Sequence, residues 1–161
     1  MAGKWVEVIR ETIPGQPVAK GRPRFRVTKG VWKKDKKVVS YTDAKTKAFE
    51  SLVARILATS TQTRGQPRPM CGERSPVRVD IVAIFQRPVV MHGKKYPDGL
   101  IPHSVRPDID NVAKACLDGI QAANGLIWHD DGQVQCLRAE SWYAEKGGIP
   151  RTEIAIYRWN G

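Results

Sequence analysis

The chain has 161 residues with 27 Lys+Arg against 16 Asp+Glu, a formal charge of +11 and a sequence pI near 9.9. A chain of this length holds one core without staples, so a single domain over residues 1–161 is expected, and its longest apolar run, Ile81 to Phe85, is too short to cross a bilayer. Cys71, Cys116 and Cys136 are odd in number and far apart, which argues against a disulfide framework or a C-x-x-C zinc pair; with no apolar leader after Met1, the expected compartment is the cytoplasm.

Trp5 to Ile13 is rich in β-branched and aromatic residues and stops at Pro14-Gly15, which predicts a strand. Residues 14 to 24 combine turn formers with Lys20, Arg22 and Arg24, a composition suited either to an arm on a phosphate backbone or to a plain solvated loop. Short strands are expected over Phe25 to Trp32 and Val38 to Tyr41, around turns that include the Lys33-Lys34-Asp35-Lys36-Lys37 run. Thr42 is the expected N-cap of a helix from Asp43 to about Thr59, with Ala48, Phe49, Leu52, Val53, Ile56 and Leu57 at helical spacing.

Residues 60 to 76 read as a long surface loop, and Val77 to Phe85 as a central strand, apolar at alternate positions and in part on its second face. A second loop spans residues 87 to 107. A helix then starts near Pro107, buries Ile109, Val112, Ala113, Cys116, Leu117 and Ile120, and ends at Asn124-Gly125. Beyond the turn Asp130-Asp131-Gly132, Val134 to Ala144 is expected to pair with Thr152 to Trp159 as a hairpin across Lys146-Gly147-Gly148.

The charge is unevenly spread: residues 1–50 and 51–100 carry +8 and +5, and residues 101–161 carry −2. Such an excess of Lys and Arg points to a polyanionic partner, with nucleic acid favoured over a membrane because no basic amphipathic helix is present. Within the acidic third, Asp108, Asp110, Asp118, Asp130 and Asp131 fall in a stretch whose only Lys or Arg is Lys114. Pro107 directs the chain into its helix from an extended segment, so Asp108 at the boundary and Asp110 just inside can face one spot.

If Asp130 and Asp131 return there, the group needs a cation. Two carboxylates about 4 Å apart repel by about 4 kcal/mol at an effective dielectric near 20, against about 0.3–1 kcal/mol from a helix N-terminus. A hard divalent ion such as Mg²⁺ balances that repulsion and suits phosphodiester hydrolysis. The plainer alternative makes Asp108 an N-cap, Asp130-Asp131-Gly132 an ordinary turn, Lys114 an ion-pair partner of Asp110, and the chain a basic nucleic-acid-binding module without catalysis.

Arg106-Pro107-Asp108-Ile109-Asp110-Asn111-Val112 with Lys114, followed by Trp128-His129-Asp130-Asp131-Gly132-Gln133-Val134, resembles the RusA family of Holliday junction resolvases. Ile13-Pro14-Gly15, Lys20-Gly21-Arg22-Pro23-Arg24 and Tyr41-Thr42 extend the likeness more loosely. The resemblance implies an α+β fold, a mixed β-sheet packed with two main helices, and a C2 homodimer acting on branched DNA. It also implies dependence on Mg²⁺, with Mn²⁺ as a substitute. Asp108, Asp110 and Asp131 correspond to the essential aspartates, Lys114 to the catalytic lysine and Asp130 to a neighbouring acidic ligand. Lys20, Arg22, Arg24, Arg26, Lys33, Lys34 and Arg106 are the expected DNA contacts. The rival within enzymes is a metal nuclease that cuts flaps or single strands.

Overall fold

The computed structural model describes residues 3–21, 24–29 and 36–161. Seven strands are described: β1 (Lys4–Pro14), β2 (Arg24–Lys29), β3 (Lys36–Tyr41), β4 (Val77–Phe85), β5 (Ile101–Pro102), β6 (Val134–Tyr143) and β7 (Arg151–Asn160). The helices are α1 (Ala44–Thr59) and α2 (Ile109–Gln121). Strands β2 and β3 form a two-stranded antiparallel ladder, and the other five form one mixed sheet in the order β1-β7-β4-β6-β5. The architecture is therefore α+β, and none of the described helices is long and apolar enough to cross a membrane.

β4 is central because one face is buried throughout, at Val77, Val79, Ile81, Ala83 and Phe85, and the second face, which begins with Arg78 and Asp80, turns apolar at Val82 and Ile84. A strand of that kind is stabilised by neighbours on both edges. It takes β7 antiparallel on one side and β6 parallel on the other. This overturns the expected hairpin, since β6 and β7 are separated by β4. Skipping one strand spans about 10 Å, two inter-strand spacings, which the connection over residues 144–150 covers. As it crosses, Ala144 donates its amide to the Phe85 carbonyl at 2.8 Å.

α1 is capped by Asp43 rather than Thr42, with Lys47 N–H on the Asp43 carbonyl at 3.0 Å and no side-chain cap. Its buried residues Phe49, Val53 and Leu57 share one core with Val112, Ala115, Cys116 and Ile120 of α2, on which α1 packs. Gly119 permits this approach: a Cβ there would lie 2.7 Å from Val53 Cβ and 3.1 Å from the Glu50 carbonyl oxygen. Overpacking of that kind costs about 1–3 kcal/mol, against about 1 kcal/mol of helix propensity regained. Gly119→Ala is accordingly expected to lower stability by up to about 2 kcal/mol, read as a reduced urea midpoint at unchanged m-value.

Two loops are more ordered than their composition suggests. Residues 60–76 are not wholly superficial. Met70 and Cys71 are buried, and their amides bond the Leu126 and Ile127 carbonyls at 3.0 and 2.9 Å. The loop after β4 is organised by Arg87, which is only 2% exposed. Its guanidinium donates to the carbonyls of Ala144 (2.7 Å), Pro97 (2.9 Å) and Gly99. Burial pushes the Cys71 and Cys116 thiols up, to about 11 and about 12. All three cysteines are unpaired.

The register decides which connections meet. β1 ends at Pro14 opposite Arg151, where β7 begins, and β4 and β6 end side by side at Phe85 and Tyr143. The basic arm after Pro14, the loop after β4 and the 144–150 connection thus leave one end of the sheet. Gln16 ties two of them together by accepting the Gln86 amide at 3.0 Å.

Candidate active site

Asp108 is the N-cap of α2, with φ −69° and ψ 138°, and its side chain makes no capping hydrogen bond. The cap is supplied by its carbonyl, which accepts from Asn111 and Val112, so the carboxylate is left free to point outward. Asp110 lies in the first turn and Lys114 one turn later, with Nζ 3.8 Å from Asp110 Oδ2. Both side chains are about two-thirds exposed (65% and 64%). A pair this exposed contributes at most about 1 kcal/mol, so an incoming phosphate can draw Lys114 away at little cost.

Asp108 and Asp110 line one cleft of about 490 Å³ together with His103 to Pro107, Ile109 and Ser141. On the other side of Asp108 a second depression is lined by Ala19, Lys20, Arg106, Pro107 and Asn111. The extended entry into α2 has the consequence read from Pro107: the two carboxylates share one opening, flanked by Arg106. Pro107 itself lies outside the helix, two residues before its first position.

His103 forms a wall of this cleft. It stacks on Phe85 with ring centroids 4.1 Å apart and meets Tyr143 edge-on at 4.7 Å. Its Nδ1 lies 3.0 Å from Ser141 Oγ, and its amide donates to the Ser141 carbonyl at 3.0 Å. Desolvation lowers its pKa from the ordinary histidine value.

Lys20, expected on DNA, is held by protein acids. Its Nζ bonds Asp118 and, at 3.3 Å, Glu50, while its amide donates to the Asn111 carbonyl at 2.8 Å. The basic arm is thereby pinned beside the start of α2. Arg106 is exposed at the cleft rim. Arg22, Lys33 and Lys34 lie outside the described residues, as do the side chains of Arg24 and Arg26.

Asp130 and Asp131 lie elsewhere in the chain. After α2, Asn124 and Gly125 adopt positive φ (52° and 66°), and the chain runs through buried Leu126, Ile127 and Trp128 to a 3-10 turn over Asp131–Gln133. Asp130 caps that turn, its Oδ1 accepting from the Gly132 amide at 2.8 Å. Gln133 pins it, accepting from His129 N–H at 2.8 Å and donating to the carbonyls of Gly72 and Ser75 at 2.9 and 3.0 Å. The Asp-x-x-Gln spacing is a capping box, and that signal was present in the sequence. Asp131 is exposed.

The turn opens β6 at Val134, beside Val77, whereas Ser141 at the cleft is near the strand's other end. From Val134 to Ser141 the strand covers about 23 Å at about 3.3 Å per residue. Within one chain the two acidic pairs therefore stand at opposite ends of α2 and β6. Among the described residues no three His, Cys, Asp or Glu gather as a metal site. The expectation that the four carboxylates share one spot is not met inside a single chain. Asp108 and Asp110 alone still fit a hard cation, because Mg²⁺ is commonly held by one or two carboxylates plus water and substrate phosphate.

Residues 14–157 match the family model described as Endodeoxyribonuclease RusA. The chain is also similar to a Bacillus subtilis (strain 168) protein, "Uncharacterized protein YqaN", at 33% identity over 156 residues, covering 94% of this chain and 96% of that protein.

Proposed function

The chain belongs to the RusA family of endodeoxyribonucleases, enzymes that resolve Holliday junctions, and from that premise we propose that it makes paired, symmetric, Mg²⁺-dependent cuts in four-way DNA junctions as a C2 homodimer. The observation that carries this reading is the shared opening of Asp108 and Asp110, with Lys114 and Arg106 beside them.

Asp108 and Asp110 present hard oxygen donors at the mouth of the cleft. When bound there, a divalent cation supplies a site for activating water and offsets charge on the leaving oxygen. Lys114, freed from its exposed pair, meets a non-bridging phosphate oxygen and stabilises the charge that develops on it. Arg106 at the rim and the pinned arm that begins after Pro14 position the backbone, as phosphate contacts do.

Asp131 completes the site from the second subunit. A four-way junction has two-fold symmetry, and a two-fold interface is reciprocal, so a dimer in which the Asp131 turn of one subunit meets the cleft of its partner forms the converse contact as well. Two subunits related in that way complete two equivalent sites, each with Asp108 and Asp110 from one chain and Asp131 from the other. Asp130 and Gln133 then serve as the frame that presents Asp131.

The test is a side-by-side assay of a synthetic four-way junction, a flap and a linear duplex with Mg²⁺. Symmetric nicking confined to the junction is expected. Equal cutting of the flap would assign the chain to the broader class of branched-DNA nucleases.

A further inference from the structure

The loop that Arg87 braces carries two adjacent exposed valines: Val89, at 88% the most exposed large apolar residue among those described, and Val90 at 68%, a value that elsewhere only the isolated Ile149 reaches. Placing a guanidinium out of water to hold backbone carbonyls is worthwhile only if the loop must keep its shape, because a buried charge is costly unless fully hydrogen-bonded. Two adjacent valines held out in solvent on such a loop contribute nothing to the chain's own core, and exposed apolar groups of this kind mark a contact with something else.

What they contact follows from charge and position. Lys94 and Lys95 follow in the same loop and are exposed, and the loop's acid, Asp98, is paired with Lys146 at 2.7 Å. The loop leaves the same end of the sheet as the cleft that holds Asp108 and Asp110. A second copy docked here about a two-fold axis would bring these lysines toward their own equivalents, an unfavourable arrangement. DNA offers the opposite sign for the lysines. It offers apolar surface to the valines only where base stacking is interrupted, as at a branch point.

Resting on the branched-DNA reading above, we propose that Val89 and Val90 form a rigid wedge that enters the branch point and unstacks a base step near the scissile phosphate, while Lys94 and Lys95 hold the flanking backbone. Apolar wedges that part base steps beside cationic backbone contacts are an established way for proteins to deform DNA.

The experiment uses the full chain carrying Asp110→Asn, which removes cutting, and a four-way junction with 2-aminopurine at the branch point. Binding is expected to raise 2-aminopurine fluorescence as the base unstacks. Adding Val89→Ser and Val90→Ser is expected to remove most of that rise, leave linear-duplex affinity within about twofold and leave the sedimentation coefficient unchanged. With Asp110 restored, the double serine variant is expected to cut the junction about tenfold more slowly. The wedge is overturned if fluorescence and cutting match the valine protein. It is equally overturned if the serines change the oligomeric state, which would make the valines a subunit contact. Failure of the Asp110→Asn protein to bind the junction at all would instead sink the branched-DNA reading itself.

Discussion

Asp110→Asn is expected to reduce junction cutting by about a thousandfold or more, equivalent to about 4 kcal/mol of transition-state stabilisation, while junction binding is retained or becomes slightly tighter. The substitution keeps size and shape and removes one negative charge from the opening it shares with Asp108. Stability is not at stake, because the carboxylate's pairing with Lys114 is exposed on both sides and such helix pairs contribute about 0.3–0.5 kcal/mol. Binding depends on Lys and Arg neutralising phosphates, and removing an acid from their midst lessens repulsion. Gel shifts without Mg²⁺ and cleavage with it separate the two quantities. Cutting at the original rate would remove Asp110 from the chemistry and leave Lys114 without its proposed role.

The second large effect is a rescue. Asp110→Asn and Asp131→Asn proteins are each expected to be inactive alone. Mixed under conditions that exchange subunits, they are expected to regain nicking of a single strand. In the mixed dimer one shared site carries both substitutions and the other carries neither, because the cleft aspartates and Asp131 come from different chains. Were each site built within one subunit, both sites of the mixed dimer would hold a substitution and no cutting would return. The prediction follows from the 23 Å or so that β6 places between the cleft and the turn at Asp131. An inactive mixture with confirmed subunit exchange would refute the shared site.

The elements legible in the sequence were those with an intrinsic periodicity or a strong local signal. The apolar positions of α2 lie at helical spacing, with Val112, Ala113, Cys116 and Ile120 buried and Ile109 and Leu117 half-buried against the core, and the alternation over Val77–Phe85 marked a strand that proves central. Asp108 and Asp110 were legible together because Pro107 restricts the backbone before them, a local steric effect. Arg87 and His103 were not legible. Their partners are carbonyls and rings brought from Ala144, Pro97, Gly99, Phe85 and Tyr143, none of which leaves a trace at fixed spacing.

The pairing of β6 was misjudged for a related reason. Lys146-Gly147-Gly148 is good turn chemistry, and Gly147 does adopt φ 77°. A turn reverses direction whether the strands it joins are adjacent or one apart, however, and only competition for the edges of β4 decides which.

From the residues alone one obtains the α+β class, the basic body with its acidic spot, the nuclease family and the candidate aspartates. These rest on local chemistry and on matching residue types in order. Only the folded molecule decides that Lys20 is tied to Glu50 and Asp118, that Asp130 is spent on a cap, and that Asp131 stands a strand's length away from Asp110. Distances between segments depend on strand order and register, which arise from burial of the whole sheet and are encoded at no single position.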